Sequence, residues 1–519
     1  MGDGLIRFYK EKIKPEWKLA FFSAFVIGLL VHAYKFTNTL LNHDSVFNAY
    51  SNQNMLGSGR WFLSIACGIS SYFDLPWLNG VMALIYIALT AAVVVAIFEI
   101  RNPFVVVLSA GLLVTFPGMT ESFFYGFTAD GYMLAMLMSA AAVWLSGMEV
   151  KRPLCYLASV VLLCLSCGIY QAYISFALIL VICRLMYDIL ENANQPKAYV
   201  LYMLRQIMIF ACALAAYYVI WKLCMALQGT QANHYQGIEE VSDLSSFRIS
   251  LGWLLGGMIS TAQSIAFLLV EWNILEHGVS LYAALNIAFV CCFALALLAC
   301  ARKSGALCSF WRMLLIVLCL IAAFFSVGIW HFASPGIGYR PMMLVSVSMF
   351  YIFFAVLCDR WLCAGWKNIA AALLAVIMIN WGVMANIAYS YMQLCQTRTL
   401  AHACDMASRI RMIDSDTPIA VVGERAVEVN LGDSGESSRI HMLAHMLEED
   451  LLYDRMRTEK YLTLMLGVES ERFMVDDYEE IAASEAVRQM EAWPKKDSVQ
   501  MIGDTIVIKL GETDTAEEE

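Results

Sequence analysis

Apolar runs long enough to cross a bilayer follow one another down this chain, and that succession excludes most architectures. A hydrocarbon core of about 30 Å takes a helix of ~20 residues. One such run ends near Phe36, and further runs lie at about 77–98, 103–116, 131–147, 153–169, 172–190, 200–227, 279–300, 311–332, 341–358 and 368–389. With 60% hydrophobic and 15% charged residues over 519 positions and a mean hydropathy of +0.64, no soluble domain of ordinary composition fits. The expected fold is mainly α: a polytopic transmembrane helical bundle of about 11 spans, residues 1–389, with a small C-terminal α/β domain, residues 390–519.

The cations set the expected orientation. Arg7, Lys10, Lys12, Lys14 and Lys18 precede the first run, and positive residues gather on the cytoplasmic side. With the N-terminus inside, sixteen of the 21 Lys and Arg before Ser390 fall at inner ends, and the tail emerges outside. This places the chain as a multi-pass protein of the cytoplasmic membrane. It also makes residues 251–270 re-entrant or interfacial, because a further crossing there would put Arg302 and Lys303 outside.

The net charge of −10 is unevenly placed: 27 acidic and 13 basic residues stand from Ser390 onward, against 17 and 21 before it. An acidic tail argues against nucleic acid or an anionic surface as its partner. In it, residues 418–423 read as a buried strand, 439–466 as a helix, 498–510 as two strands around Gly503-Asp504, and the acidic end as disordered. Fourteen of the 16 cysteines lie before Ser390, mostly inside apolar runs, so they read as small core residues.

Between the first two spans lies a polar stretch, Asn38 to Trp61, holding Asp44 beside His43 and, further on, Arg60. An acid and an arginine at the mouth of a bundle are costly near lipid and so tend to face a functional cavity. Asp44 is also a favoured helix N-cap, since the residues after it can start an interfacial helix. A second segment, Phe116 to Tyr132, is aromatic and carries Glu121 and Asp130. Backbone that leaves the helix at membrane depth is tolerated where it lines a cavity, and aromatic faces with carboxylates suit sugars. Tyr170 and Gln171 interrupt the apolar pattern at a turn, and Tyr339 and Arg340 lie in another loop. His43, His234, His277 and His331 are too scattered for a zinc set.

Four runs in order, LNHDSVFNAYSNQNMLGSGRWFLSI, FPGMTESFFYGFTADGYMLAML, SCGIYQAYISFAL and GYRPM, resemble the bacterial Gtr-type glucosyl transferase family. That family modifies surface polysaccharides and belongs to the wider GT-C class of polytopic enzymes. The resemblance covers roughly residues 15–390, and the tail is similar to the outer domain such chains carry. It implies a polyprenyl-phosphate sugar donor, a polysaccharide or glycopolymer acceptor, and transfer at the outer face. The chain would then need a base, for which Asp44 is the candidate. It would also need cations for the departing phosphate, for which Arg60 and Arg340 are the candidates. His43, Glu121, Asp130, Tyr170, Gln171 and Tyr339 are the expected substrate contacts. Some enzymes of the class hold a divalent metal with carboxylates, a role open to Asp44 with Glu121 or Asp130, although none of these three stands in a DxD-type pair. The competing readings are a flippase or transporter of lipid-linked sugars, disfavoured by the odd span count and lack of inverted repeats, and a scaffold of a polysaccharide assembly complex.

Overall fold

A computed structural model describes residues 13–147, 153–191, 196–233, 250–271, 281–333, 338–414, 416–425 and 451–511. It forms two compact units. One holds the described residues up to Asn38 and from Ser51 to Asn386; the other holds Thr39–Tyr50 with the chain from Ile387 onward.

The first unit is a helical membrane bundle. Its helices are α1 (Pro15–Thr37), α2 (Pro76–Phe98), α3 (Pro103–Thr115), α4 (Pro117–Phe124), α5 (Gly126–Gly147), α6 (Pro153–Ile169), α7 (Tyr173–Glu191), α8 (Pro196–Gln228), α9 (Leu251–Ala266), α10 (Leu281–Lys303), α11 (Phe310–Val327) and α12 (Ser348–Trp361). The long helix α13 (Ala364–Ile413) begins in this unit. Many start at a proline in the first turn, where its missing N–H costs nothing and its fixed φ suits the helix. Among the described residues ten helices are long and apolar enough to cross a membrane, or eleven when α3 and α4, bent by 41°, count as one span.

Burial separates the centre of the bundle from its rim. The span Pro341–Trp361 is 89% buried by protein and Leu251–Val270 only 17%. In lipid an exposed leucine is at no disadvantage, and helix association rests on close packing instead. Gly80 of α2 shows this: a Cβ there would lie 2.2 Å from the Phe36 ring of α1. Leu251–Val270 is helical throughout and long and apolar enough to cross a membrane, so a re-entrant or interfacial placement rests on the cations alone.

The segment expected to leave the helix, Phe116 to Tyr132, is mostly helical. Pro117 opens α4, and the chain breaks only at Phe116 and Tyr125, so Glu121 and Asp130 both sit on helices, each 1% exposed.

In the second unit, β1 (Ile419–Val422) runs parallel to β3 (Thr505–Lys509), and β2 (Val499–Ile502) pairs antiparallel to β3. The order is β1-β3-β2. The β2–β3 turn is the expected one, with Gly503 at φ 59°, a conformation glycine adopts without penalty. Ile419, Val421, Ile506 and Ile508 face a core that includes Leu41 and Val46 as well as Tyr461 of α14 (Arg455–Leu466). Ala420, Val422 and Val507 face a smaller one, against Val487 and Met490. Covered on both sides, β1 throughout and β3 from Ile506 to Ile508 are apolar at successive positions rather than at alternate ones. Of the expected helix over 439–466 only Arg455–Leu466, α14, is helical and 451–454 are not; residues 439–450 and the acidic end beyond Gly511 lie outside the described residues.

Candidate active site

The first arginine is placed by a turn. Residues Leu56–Ser58 form one turn of 3-10 helix, closed by an isolated β-bridge between Met55 and Arg60. Gly59 has φ 77°, and a Cβ there would lie 2.3 Å from the Tyr217 hydroxyl, so glycine is required by conformation and by space. The turn's carbonyls are taken by distant side chains. Trp221 Nε1 donates to Leu56 O at 2.9 Å, Tyr217 OH to Gly59 O at 3.1 Å, and Gln171 Nε2 to Ser58 O at 2.7 Å. Arg60 leaves this frame over the Tyr170 ring, 4.6 Å from its centroid, and donates to the Tyr132 hydroxyl at 3.0 Å. Tyr132 and Tyr170 stack at 4.5 Å. Burial holds the Tyr170 phenol above the ordinary tyrosine range, with Arg60 pulling the other way, so its hydroxyl stays a donor.

The second arginine comes from the loop before the 3-10 segment Pro341–Val347. Arg340 hydrogen-bonds the Tyr125 hydroxyl and lies 5.9 Å from the centroid of that ring. Glu121 Oε2 accepts the Met342 backbone N–H, which ties α4 to the loop. A Cβ on Gly118 would stand 2.5 Å from the Pro341 carbonyl, so the two elements meet backbone to backbone. Arg340 acts electrostatically on both Glu121 and Tyr170. Tyr339 completes the group: its hydroxyl accepts the Trp330 N–H at 2.8 Å, and its ring stacks on His331 at 4.0 Å. The structure therefore gathers Arg60, Glu121, Tyr170, Gln171, Tyr339 and Arg340 from separate stretches of one unit. What they offer is two guanidiniums and several phenols, donors suited to a phosphate.

Asp130 belongs to a different cluster. It lies against Cys67 and interacts with Asp74, which in turn interacts with Lys35. An ideal Cβ on Gly126 would lie 3.5 Å from Asp74 Oδ1 and 3.8 Å from Lys35 Nζ. Lys35, a cation at the end of an apolar run, carried the sequence signal for this group.

His43 and Asp44 lie in the second unit. No helix starts at Asp44; residues 43–47 are turns. The local cap is Asn42, whose Oδ1 accepts from the Asp44 N–H at 3.1 Å, the Ser45 N–H at 2.9 Å and the Ser45 hydroxyl at 2.7 Å. Asp44's carboxylate instead faces His43 Nε2 at 3.3 Å and Arg457 at 3.9 Å, with 43% of the side chain exposed. Sequence reasoning passed over Arg457, Tyr125 and Tyr132. The tyrosines stand in a segment already marked by its aromatics, whereas no local pattern points to Arg457. Among the described residues no three His, Cys, Asp or Glu side chains gather to hold a metal. His234 and His277 lie outside the described residues.

The family model described as glucosyl transferase GtrII matches residues 33–358, which includes Arg60, Glu121, Tyr170 and Arg340. No curated protein and no solved structure matches.

Proposed function

The chain belongs to the GtrII glucosyl transferase family, and from that premise we propose that it moves a glucosyl unit from a polyprenyl-phosphate donor to a surface polysaccharide or other glycopolymer. The reaction takes place at the outer face of the cytoplasmic membrane, with the second unit outside. The acceptor hydroxyl oxygen attacks the anomeric carbon from the side opposite the phosphate. As the new C–O bond forms, the bond to the phosphate oxygen breaks with its electron pair, and the configuration inverts. The hydroxyl proton passes to Asp44, a partly exposed carboxylate held by its two neighbours; a positioned base of this kind contributes about 10²–10⁴-fold.

The observation that carries this reading is the meeting of Arg60 and Arg340 around Tyr125, Tyr132 and Tyr170. Charge develops on the departing phosphate in the transition state, and fixed donors aimed at it need little rearrangement. Glu121 contributes indirectly by fixing the Arg340 loop through Met342. The test is to incubate the purified full chain with a panel of polyprenyl-phosphate sugars and bacterial glycopolymer and to follow released polyprenyl phosphate. Release with the glucosyl donor supports transfer; a donor left chemically intact across the panel defeats it.

A further inference from the structure

The opposite ends of α2, α5 and α7 from the Arg60 group enclose, with α8, a cavity of about 530 Å³. Four charged side chains line it: Glu99, Arg184, Asp188 and Arg205. They are not equivalent. Arg184 is matched by carboxylates on both sides, Asp188 at 3.0 Å and Glu99 at 3.6 Å. Arg205's contacts are phenolic: it donates to the Tyr156 hydroxyl at 3.1 Å and lies over the rings of Tyr156 and Tyr202 at 5.3 and 5.2 Å. Its Nε–H is buried, so a ligand oxygen can meet only the terminal nitrogens of this guanidinium, which pairs with no carboxylate among the described residues. Glu99, in contrast, is 58% exposed at its side chain, and it ends α2 with φ 52°, a left-handed conformation uncommon for any residue but glycine. Beside the cavity, α8 exposes Leu201, Leu204 and Met208, an apolar track suited to acyl chains.

We propose that this cavity binds the headgroup of a phospholipid that carries both a phosphate and a primary ammonium, with the phosphate on Arg205 and the ammonium on Glu99. A purely anionic headgroup brings no N–H to Glu99, the more exposed of the two carboxylates. A choline headgroup has no N–H to donate to a carboxylate.

The experiment is native mass spectrometry of the delipidated full chain in detergent, titrated with phosphatidylethanolamine, phosphatidylglycerol and phosphatidylcholine. Phosphatidylethanolamine is expected to be retained about tenfold better than either of the others, the scale of one or two charge-assisted hydrogen bonds. Arg205→Gln abolishes that retention, and Glu99→Gln abolishes the discrimination against phosphatidylglycerol. Should Arg205→Gln fail to fold, Glu99→Gln at its exposed position decides alone. Equal retention of the three lipids, or Glu99→Gln with unchanged discrimination, overturns the proposal. Soluble phosphoethanolamine should not displace the lipid; displacement at comparable concentration would mark a site for free phosphate monoesters and overturn the lipid assignment.

Discussion

Arg457 faces the Asp44 carboxylate at 3.9 Å while its Nε donates to the neighbouring His43 carbonyl at 3.0 Å, across 414 positions of sequence. The same guanidinium lies over Tyr453 at 4.6 Å and Phe47 at 5.2 Å. One side chain from the C-terminal part thus fixes the backbone and faces the carboxylate of the proposed base.

If Asp44 is the base, Arg457→Ala should lower turnover at saturating donor by about tenfold, the worth of a lost charge-assisted hydrogen bond, with little change in donor KM. Arg457→Lys should recover little, because a point charge cannot serve both contacts in the plane of a guanidinium. Full-chain kinetics in detergent checks both. A fall in turnover matched by an equal fall in the folded fraction, read from thermal unfolding, would assign Arg457 to folding alone.

Asp44→Asn should lower turnover by at least about 10²-fold and leave the thermal unfolding of the protein near normal. The turn is capped by Asn42, so the converse change, Asn42→Ala, should cost about 1 kcal/mol of stability. Near-normal turnover in a folded Asp44→Asn protein would remove Asp44 from the chemistry.

Arg60→Lys and Arg340→Lys should each weaken donor binding by about tenfold, measured as competition by polyprenyl phosphate. Tyr170→Phe keeps the ring under Arg60 and should cost much less than Tyr170→Leu. Unchanged affinity in both lysine variants would take the arginines out of the phosphate site.

How much of this was legible depended on range. The spans showed because length and apolarity are properties of one segment, and the β2–β3 hairpin showed because Gly503-Asp504 and its flanking residues are adjacent. The parallel pairing of β1 with β3 did not, nor did the packing of Leu41 and Val46 into the core of the tail. Such contacts join segments far apart in sequence and leave no period in either. Glu121 and Asp130 were marked as one acidic pair because a linear sequence shows proximity along the chain, whereas their helices lead them to different neighbours. The chain breaks at Phe116, but Pro117 opens a new helix at once, so the segment does not leave the helix for long.

Gly80→Ala should lower the thermal transition, since the added methyl meets a Phe36 ring that is itself buried against Phe123. Overpacking of this kind costs about 1–3 kcal/mol. Gly252→Ala, where the nearest atom stands 3.9 Å away, should not lower it. Differential scanning fluorimetry in detergent separates the two.

Glu459 is raised above its ordinary 4.5 by burial, with Arg455 opposing. The folded state therefore holds this proton more tightly than the unfolded chain does, so its contribution to stability is full below about pH 4.5 and declines as pH rises through the folded value. Glu459→Gln should remove that slope, and the difference between wild-type and variant melting temperatures across pH 4–8 measures it.

The hydrogen bonds that Trp221, Tyr217 and Gln171 send to the Leu56–Gly59 turn make Arg60's geometry a property of α8 and the α6–α7 corner rather than of its own loop. Ordering of that loop is settled during folding, so little entropy remains to be lost when an anion arrives. A substitution at Trp221, which hydrogen-bonds the loop at Leu56 O, would then register in an assay as weaker affinity for donor and be mistaken for a residue in contact with it.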